Sequence, residues 1–144
     1  MPTPGVRRIT SADRIDWFRR IGEEIRLGDA VDASSGAAMT VGFARYGAGA
    51  QNAWTVHYDE ALVVTRGRFA VDSGGGTVEA AAGEVVYLGA GTAVTYRAIT
   101  DAELVYVTFP HWYEATRDSA DAGLGVRPRP GIRLPLSRAA GSRG

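Results

Sequence analysis

Between Ala38 and Phe109 the chain is written almost entirely in short runs of Val, Tyr, Phe and Thr, separated by turns that carry glycine. β-Branched and aromatic residues fit a pleated, half-buried surface, and glycine supplies the positive φ that tight turns require. The pattern predicts strands over Met39–Tyr46, Ala53–His57, Ala61–Thr65, Arg68–Asp72, Thr77–Ala80, Glu84–Leu88, Ala93–Ala98 and Glu103–Phe109. Asp72-Ser-Gly-Gly-Gly76 reads as a hairpin turn. Eight short strands at this spacing imply an all-β domain, an antiparallel barrel or jelly roll.

The flanks read differently. Ser11 to Arg20 is expected to form a short helix, with Ser11 as N-cap, Asp13 in the first turn and Ile15, Trp17, Phe18 and Ile21 as an apolar face. Gly28 to Gly36 has loop chemistry. Beyond Pro110 the strand pattern fades, and from about Val126 the Arg-Pro-Arg-Pro run and the Gly, Ser and Ala after it hold too little apolar surface to order themselves. The expected organisation is a helix and lead-in over 1–37, the barrel over 38–113, and a C-terminal segment over 114–144 that is flexible and disordered from about 126.

A chain of 144 residues suits one domain able to bury a real core. It has no cysteine, which excludes thiolate zinc sites, iron–sulfur clusters and a Cys nucleophile. All 16 basic residues are Arg, and five of them, from Arg127 to Arg143, lie in a stretch without acids. The remainder carries 11 Arg against 16 acidic residues. An acidic body argues against a nucleic-acid surface. No stretch approaches the roughly 18 apolar residues of a membrane span, so a cytoplasmic protein with no membrane partner is expected. Gly74-Gly-Gly76 lacks the Lys and helix of a phosphate loop.

Two segments carry a family resemblance. Trp54-Thr-Val-His-Tyr-Asp-Glu60-Ala-Leu-Val-Val-Thr-Arg-Gly67 and Gly83-Glu-Val-Val-Tyr-Leu-Gly89-Ala-Gly91-Thr-Ala-Val94 resemble the two cupin motifs, H-x-H-x3-E-x6-G and G-x5-P-x-G-x2-H. The resemblance implies a cupin-type barrel and, by family habit, a homodimer. It also places the metal ligands of metal-binding cupins at Trp54, Val56, Glu60 and Val94, of which only Glu60 can donate to a metal. No metal and no cofactor is therefore expected. Met39-Thr-Val-Gly-Phe-Ala-Arg-Tyr, Trp54-Thr-Val-His-Tyr-Asp-Glu and Tyr106-Val-Thr-Phe-Pro are further similar to the ethanolamine-utilisation EutQ family. That resemblance implies a link to ethanolamine catabolism, acetate kinase activity or bacterial microcompartments.

The ligand positions of the cupin motifs point into the barrel, so the resemblance implies that Trp54, Val56, Glu60 and Val94 face its interior, and alternation adds Tyr96, two positions beyond Val94. Desolvation raises a carboxyl pKa toward the range useful for proton transfer, so Glu60 is the candidate acid/base or substrate anchor; the bland alternative is a carboxyl bonded to a neighbouring Tyr or Arg. Tyr96 can polarise a substrate oxygen, or simply be a satisfied interior phenol. Tyr46, Tyr87 and Tyr106 are further pocket candidates if register places them inward. Arg45 is another, able to pair with Glu60 or clamp an anion. His57 points away from Trp54 by alternation but is a candidate base at the rim. His57, Glu60 and His111 could form an improvised metal site only if the C-terminal segment folds over the mouth. The resulting expectation is a metal-independent cupin enzyme, of isomerase, cyclase or lyase type, acting on a small polar or carbonyl metabolite by proton transfer. The alternatives are a EutQ-type role and a non-catalytic ligand-binding cupin.

Overall fold

The computed structural model describes residues 5–117 and 136–138. Its strands are β1 (Phe18–Arg20), β2 (Ile25–Val31), β3 (Thr40–Tyr46), β4 (Gln51–Thr55), β5 (Asp59–Arg66), β6 (Arg68–Ser73), β7 (Gly76–Ala81), β8 (Val85–Leu88), β9 (Ala93–Ala98), β10 (Ala102–Phe109) and β11 (Leu136–Arg138). One helix, α1 (Trp112–Arg117), follows β10. The strands form two sheets, ordered β11-β1-β2-β3-β10-β5-β8 and β4-β9-β6-β7, and every pairing is antiparallel.

All eight expected strands are present, with ends shifted by at most two residues. Alternation decides which face of each is buried. Ala44 and Tyr46 of β3, Leu62 and Val64 of β5, Val94, Tyr96 and Ala98 of β9, and Leu104 and Tyr106 of β10 all point into one core between the sheets. Phe69 of β6 is fully buried at its base, with the ring of Tyr46 edge-on at 4.9 Å. Burying such a side chain stabilises a fold by about 1.5–3 kcal/mol.

The N-terminal expectation needs correction. Ser11–Arg20 is not a helix. Thr10 and Asp13 close a turn on themselves, the Thr10 backbone N–H donating to Asp13 at 2.9 Å, and the chain then extends into β1. Ile15 and Trp17 alternate as in a strand and pack on Ala30 and Phe43, while Ile21 stays exposed. The loop expected over Gly28 to Gly36 starts later: Gly28 to Val31 complete β2, and a single 3-10 turn over Ala33–Ser35, capped by Asp32 and Gly36, follows. β2 takes Gly28 as a packing residue. A Cβ there would stand 2.5 Å from Ile15 Cγ2 and 3.3 Å from the Trp17 ring. The sheet therefore begins before Ala38, the expected barrel start. The C-terminal segment expected to be disordered from about 126 lies outside the described residues, apart from β11, which pairs with β1.

Candidate functional site

Glu60 is the second residue of β5, where the register sets it between Leu88 of β8 and Thr108 of β10. Its side chain points inward and the residue is only 6% exposed. The Tyr96 hydroxyl, from the opposite sheet, donates to Glu60 Oε1 at 2.6 Å. Burial pushes the Glu60 carboxyl up to about 7, against the pull of the Tyr96 hydrogen bond. Burial, reinforced by the Glu60 charge, holds the phenols of Tyr46, Tyr58 and Tyr96 above their usual range, so all three stay protonated at neutral pH.

Next to this pair, Trp54 Nε1 donates to the Tyr58 hydroxyl at 2.9 Å. Trp54 comes from β4 and Tyr58 from the link into β5, so the hydrogen bond fixes the edge of one sheet against the start of the other. Trp112, at the first position of α1, lines the same space. Its ring meets Trp54 edge to face at 6.3 Å. Asp29 of β2 holds it there, accepting from Trp112 Nε1 at 3.1 and 3.2 Å and from the Tyr106 hydroxyl at 2.5 Å.

These side chains line a cavity of about 70 Å³, completed by Arg20, Leu27, Asn52 and Leu104. That is room for a solute of a few heavy atoms. A larger, open groove of about 570 Å³ runs past Ala53, Thr55, Asp72 and Thr95. Among the described residues that line it there is no buried acid or base. Asp72 there is engaged by Arg97 at 3.0 Å, which holds its carboxyl at about 2.

The structure thus brings Glu60, Tyr96, Trp54, Tyr46 and Tyr106 around one space. Val56 and Val94 are buried in the same core but do not line the cavity. Arg45 and Tyr87 are corrections. Arg45 faces outward and stacks its guanidinium 4.4 Å over the Trp17 ring, because its neighbours Ala44 and Tyr46 take the inward positions. Tyr87 is 68% exposed, since Val86 and Leu88 fill the inward slots of β8. His57 is half-buried and away from the cavity. His111 Nε2 contacts the Ala37 carbonyl at 2.6 Å, far from any partnership with Glu60. Sequence reasoning missed Tyr58, Asn52, Arg20, Asp29 and Trp112. Tyr58 was within reach of it: two positions past Val56, it continues the same inward alternation.

The donor set does not fit a tightly held metal. Trp54, Val56 and Val94 offer no lone pair suited to one, and among the described residues no group of three His, Asp or Glu converges. Dialysis against zinc, iron, manganese and nickel is expected to leave well under one metal per chain by elemental analysis. A near-equimolar metal would overturn this assignment.

A family model described as "Ethanolamine utilisation protein EutQ" matches residues 11–114. Acetate kinase EutQ of Escherichia coli K12 is 30% identical over 89 residues, 60% of this chain and 36% of that protein. The chain therefore spans little more than a third of the length of this curated relative. An ethanolamine utilization protein Q structure from Salmonella typhimurium LT2 is 30% identical, with a TM-score of 0.59, and the match covers 65% of this chain and 78% of that one. The Cnp3 cupin domain of Schizosaccharomyces pombe, at 14% identity and a TM-score of 0.56 over 74% of each chain, shares the fold alone. The two-sheet barrel is a cupin fold.

Proposed function

The chain belongs to the EutQ family of cupins, and from that premise we propose that it is an enzyme in which Glu60 moves a proton to or from a very small metabolite. The observation that carries this reading is the buried Glu60 carboxyl, poised near pH 7 in an aromatic-lined cavity. At that pKa both protonation states are populated at neutral pH, which is the condition for an efficient general acid or base. Tyr96 is a positioning residue. Its proton is committed to Glu60 Oε1, and the second carboxyl oxygen has no protein partner among the described residues. The phenol left to polarise a substrate oxygen is Tyr46, which lines the cavity without a side-chain hydrogen bond among the described residues. Leu27, Leu62 and Leu104 keep the space dry.

Proton transfer at carbon is read directly by NMR as deuterium uptake from D2O. Across a panel of metabolites of two to five heavy atoms, at least one is expected to exchange faster with the protein than without. The rate should change most steeply near pH 7. A panel in which no compound exchanges above background would remove proton transfer as the function.

The family match favours a second reading, an acetate kinase-type or microcompartment-associated role. A cavity of about 70 Å³ would accept acetate but not a nucleotide, so a phosphoryl donor would have to bind outside the barrel. Release of ADP from ATP that depends on acetate would favour this reading over the first.

A further inference from the structure

Four of the N–H and O–H donors around the cavity are spent: Trp54 Nε1 on Tyr58, Tyr96 on Glu60, and Tyr106 and Trp112 on Asp29. The hydroxyls of Tyr46 and Tyr58, the Asn52 amide and Arg20 remain as donors of the lining. Among the described residues two acceptors are left without a donor. One is Asn52 Oδ1, which is buried and has no partner. The other is the second oxygen of Glu60. A buried acceptor without a donor costs about 1–3 kcal/mol, so a ligand that brings N–H groups recovers that loss. The walls are the faces and edges of Tyr46, Trp54, Tyr58, Tyr96, Tyr106 and Trp112. Aromatic faces attract a cation within ~6 Å of the ring centre, most strongly where water is excluded.

Aromatic walls, a buried carboxylate with no ion pair among the described residues and an orphan amide oxygen are together complementary to a cation that carries N–H groups. We propose that the barrel cavity binds a small primary alkylammonium, its N–H groups donated to Glu60 and Asn52 and its charge held against the rings of Trp54 and Tyr58. This ligand class rests on the reading of the barrel cavity as the substrate site. Arg20 also lines the cavity and its charge acts on Tyr46, so the ammonium belongs at the Glu60 end, away from that guanidinium. The volume limits the ligand to a few heavy atoms.

The test uses the full chain at pH 8, where Glu60 carries its charge, and inert probes. Methylammonium and ethylammonium are titrated by thermal shift and by NMR of the Trp indole signals. Sodium acetate, ethanol and tetramethylammonium serve as anionic, neutral and oversized controls. The expected result is saturable stabilisation and indole shifts with the two primary ammonium ions only. Glu60→Gln and Asn52→Ala should each weaken that binding, the first by at least about tenfold through loss of the charge. Binding of acetate in place of ammonium would overturn the proposal. So would equal binding of ethanol, binding untouched by Glu60→Gln, or no binding by any probe. The outcome is separable from that of the deuterium experiment. Ammonium binding without any exchange would leave the ligand class standing and remove proton transfer. Exchange on nitrogen-free substrates without ammonium binding would do the reverse.

Discussion

Replacing Glu60 by Gln is expected to slow deuterium exchange on a substrate by roughly 10²- to 10⁴-fold, while leaving the barrel at least as stable as the wild type at pH 8. The two halves of this expectation have one cause. Gln matches Glu in shape, and its side-chain oxygen can still accept the Tyr96 hydroxyl, so the contact across the two sheets survives. What is lost is the one carboxyl that lines the cavity among the described residues, and with it the transferable proton. The wild-type carboxyl is held at about 7 in the folded protein, against 4.5 for the free side chain. Folding therefore favours its protonated form. The stability it contributes is complete below pH 4.5 and is lost progressively as pH rises to about 7. Across that window the loss amounts to about 3 kcal/mol. The neutral amide of the Glu60→Gln variant suffers no such loss. Urea denaturation should therefore show the variant equal to or weaker than the wild type at pH 4.5, and stronger at pH 8. A variant that keeps full activity sinks the acid/base role. One that unfolds more easily at pH 8 sinks the account of a carboxylate buried without a cation.

How far the sequence could reveal this site follows from where side-chain alternation is readable. Glu60, Trp54 and Tyr96 could be placed inward together because the cupin motifs mark Trp54, Glu60 and Val94 as ligand positions that face the barrel interior, and Tyr96 follows Val94 by two along β9. In β8 the run Val85-Val86-Tyr87-Leu88 is apolar throughout, so nothing local tells Tyr87 to face out, as it does. Arg45 and Tyr46 are adjacent on one strand and cannot both enter the barrel, so one of those two candidates had to fail. The N-terminus misled for a different reason. Ile15, Trp17 and Phe18 satisfy a helical and an extended pattern equally in so short a window, and the deciding contact is with Gly28 and Phe43, which are distant in sequence. Asp29 and Trp112 meet across 83 positions. No local pattern announces such a pair, yet Trp112 lines the cavity.

The largest loss of stability should come from Gly67→Ala. Three glycines of the two motifs, Gly67, Gly83 and Gly91, have positive φ, at +80°, +91° and +96°. An L side chain in that region costs about 1–2 kcal/mol by itself. At Gly83 and Gly91 a Cβ would meet nothing within 4 Å, so that cost is the whole effect expected for Gly83→Ala and Gly91→Ala. Gly67 is different. It is the single residue between β5 and β6, where the chain leaves one sheet for the other. Its Cβ would press into the Asp101 carbonyl oxygen and lie 2.8 Å from Thr100 Oγ1 and 3.0 Å from Ala102 Cα. Neither the carbonyl nor the Cα is a flexible tip. Thr100 Oγ1 is already committed, accepting from the Arg68 N–H at 3.0 Å, and the Asp101 side chain accepts from Ala48 at 2.9 Å. To make room, the turn between β9 and β10 must shift, and both hydrogen bonds shift with it. The total cost is expected to be on the order of 3–5 kcal/mol, in the range reserved for backbone strain combined with steric overlap. Urea midpoints of the three variants, measured side by side, should rank Gly67→Ala far below the other two. Equal midpoints would mean that the conformation alone, and not the crowded corner between the sheets, is what the motif glycine serves.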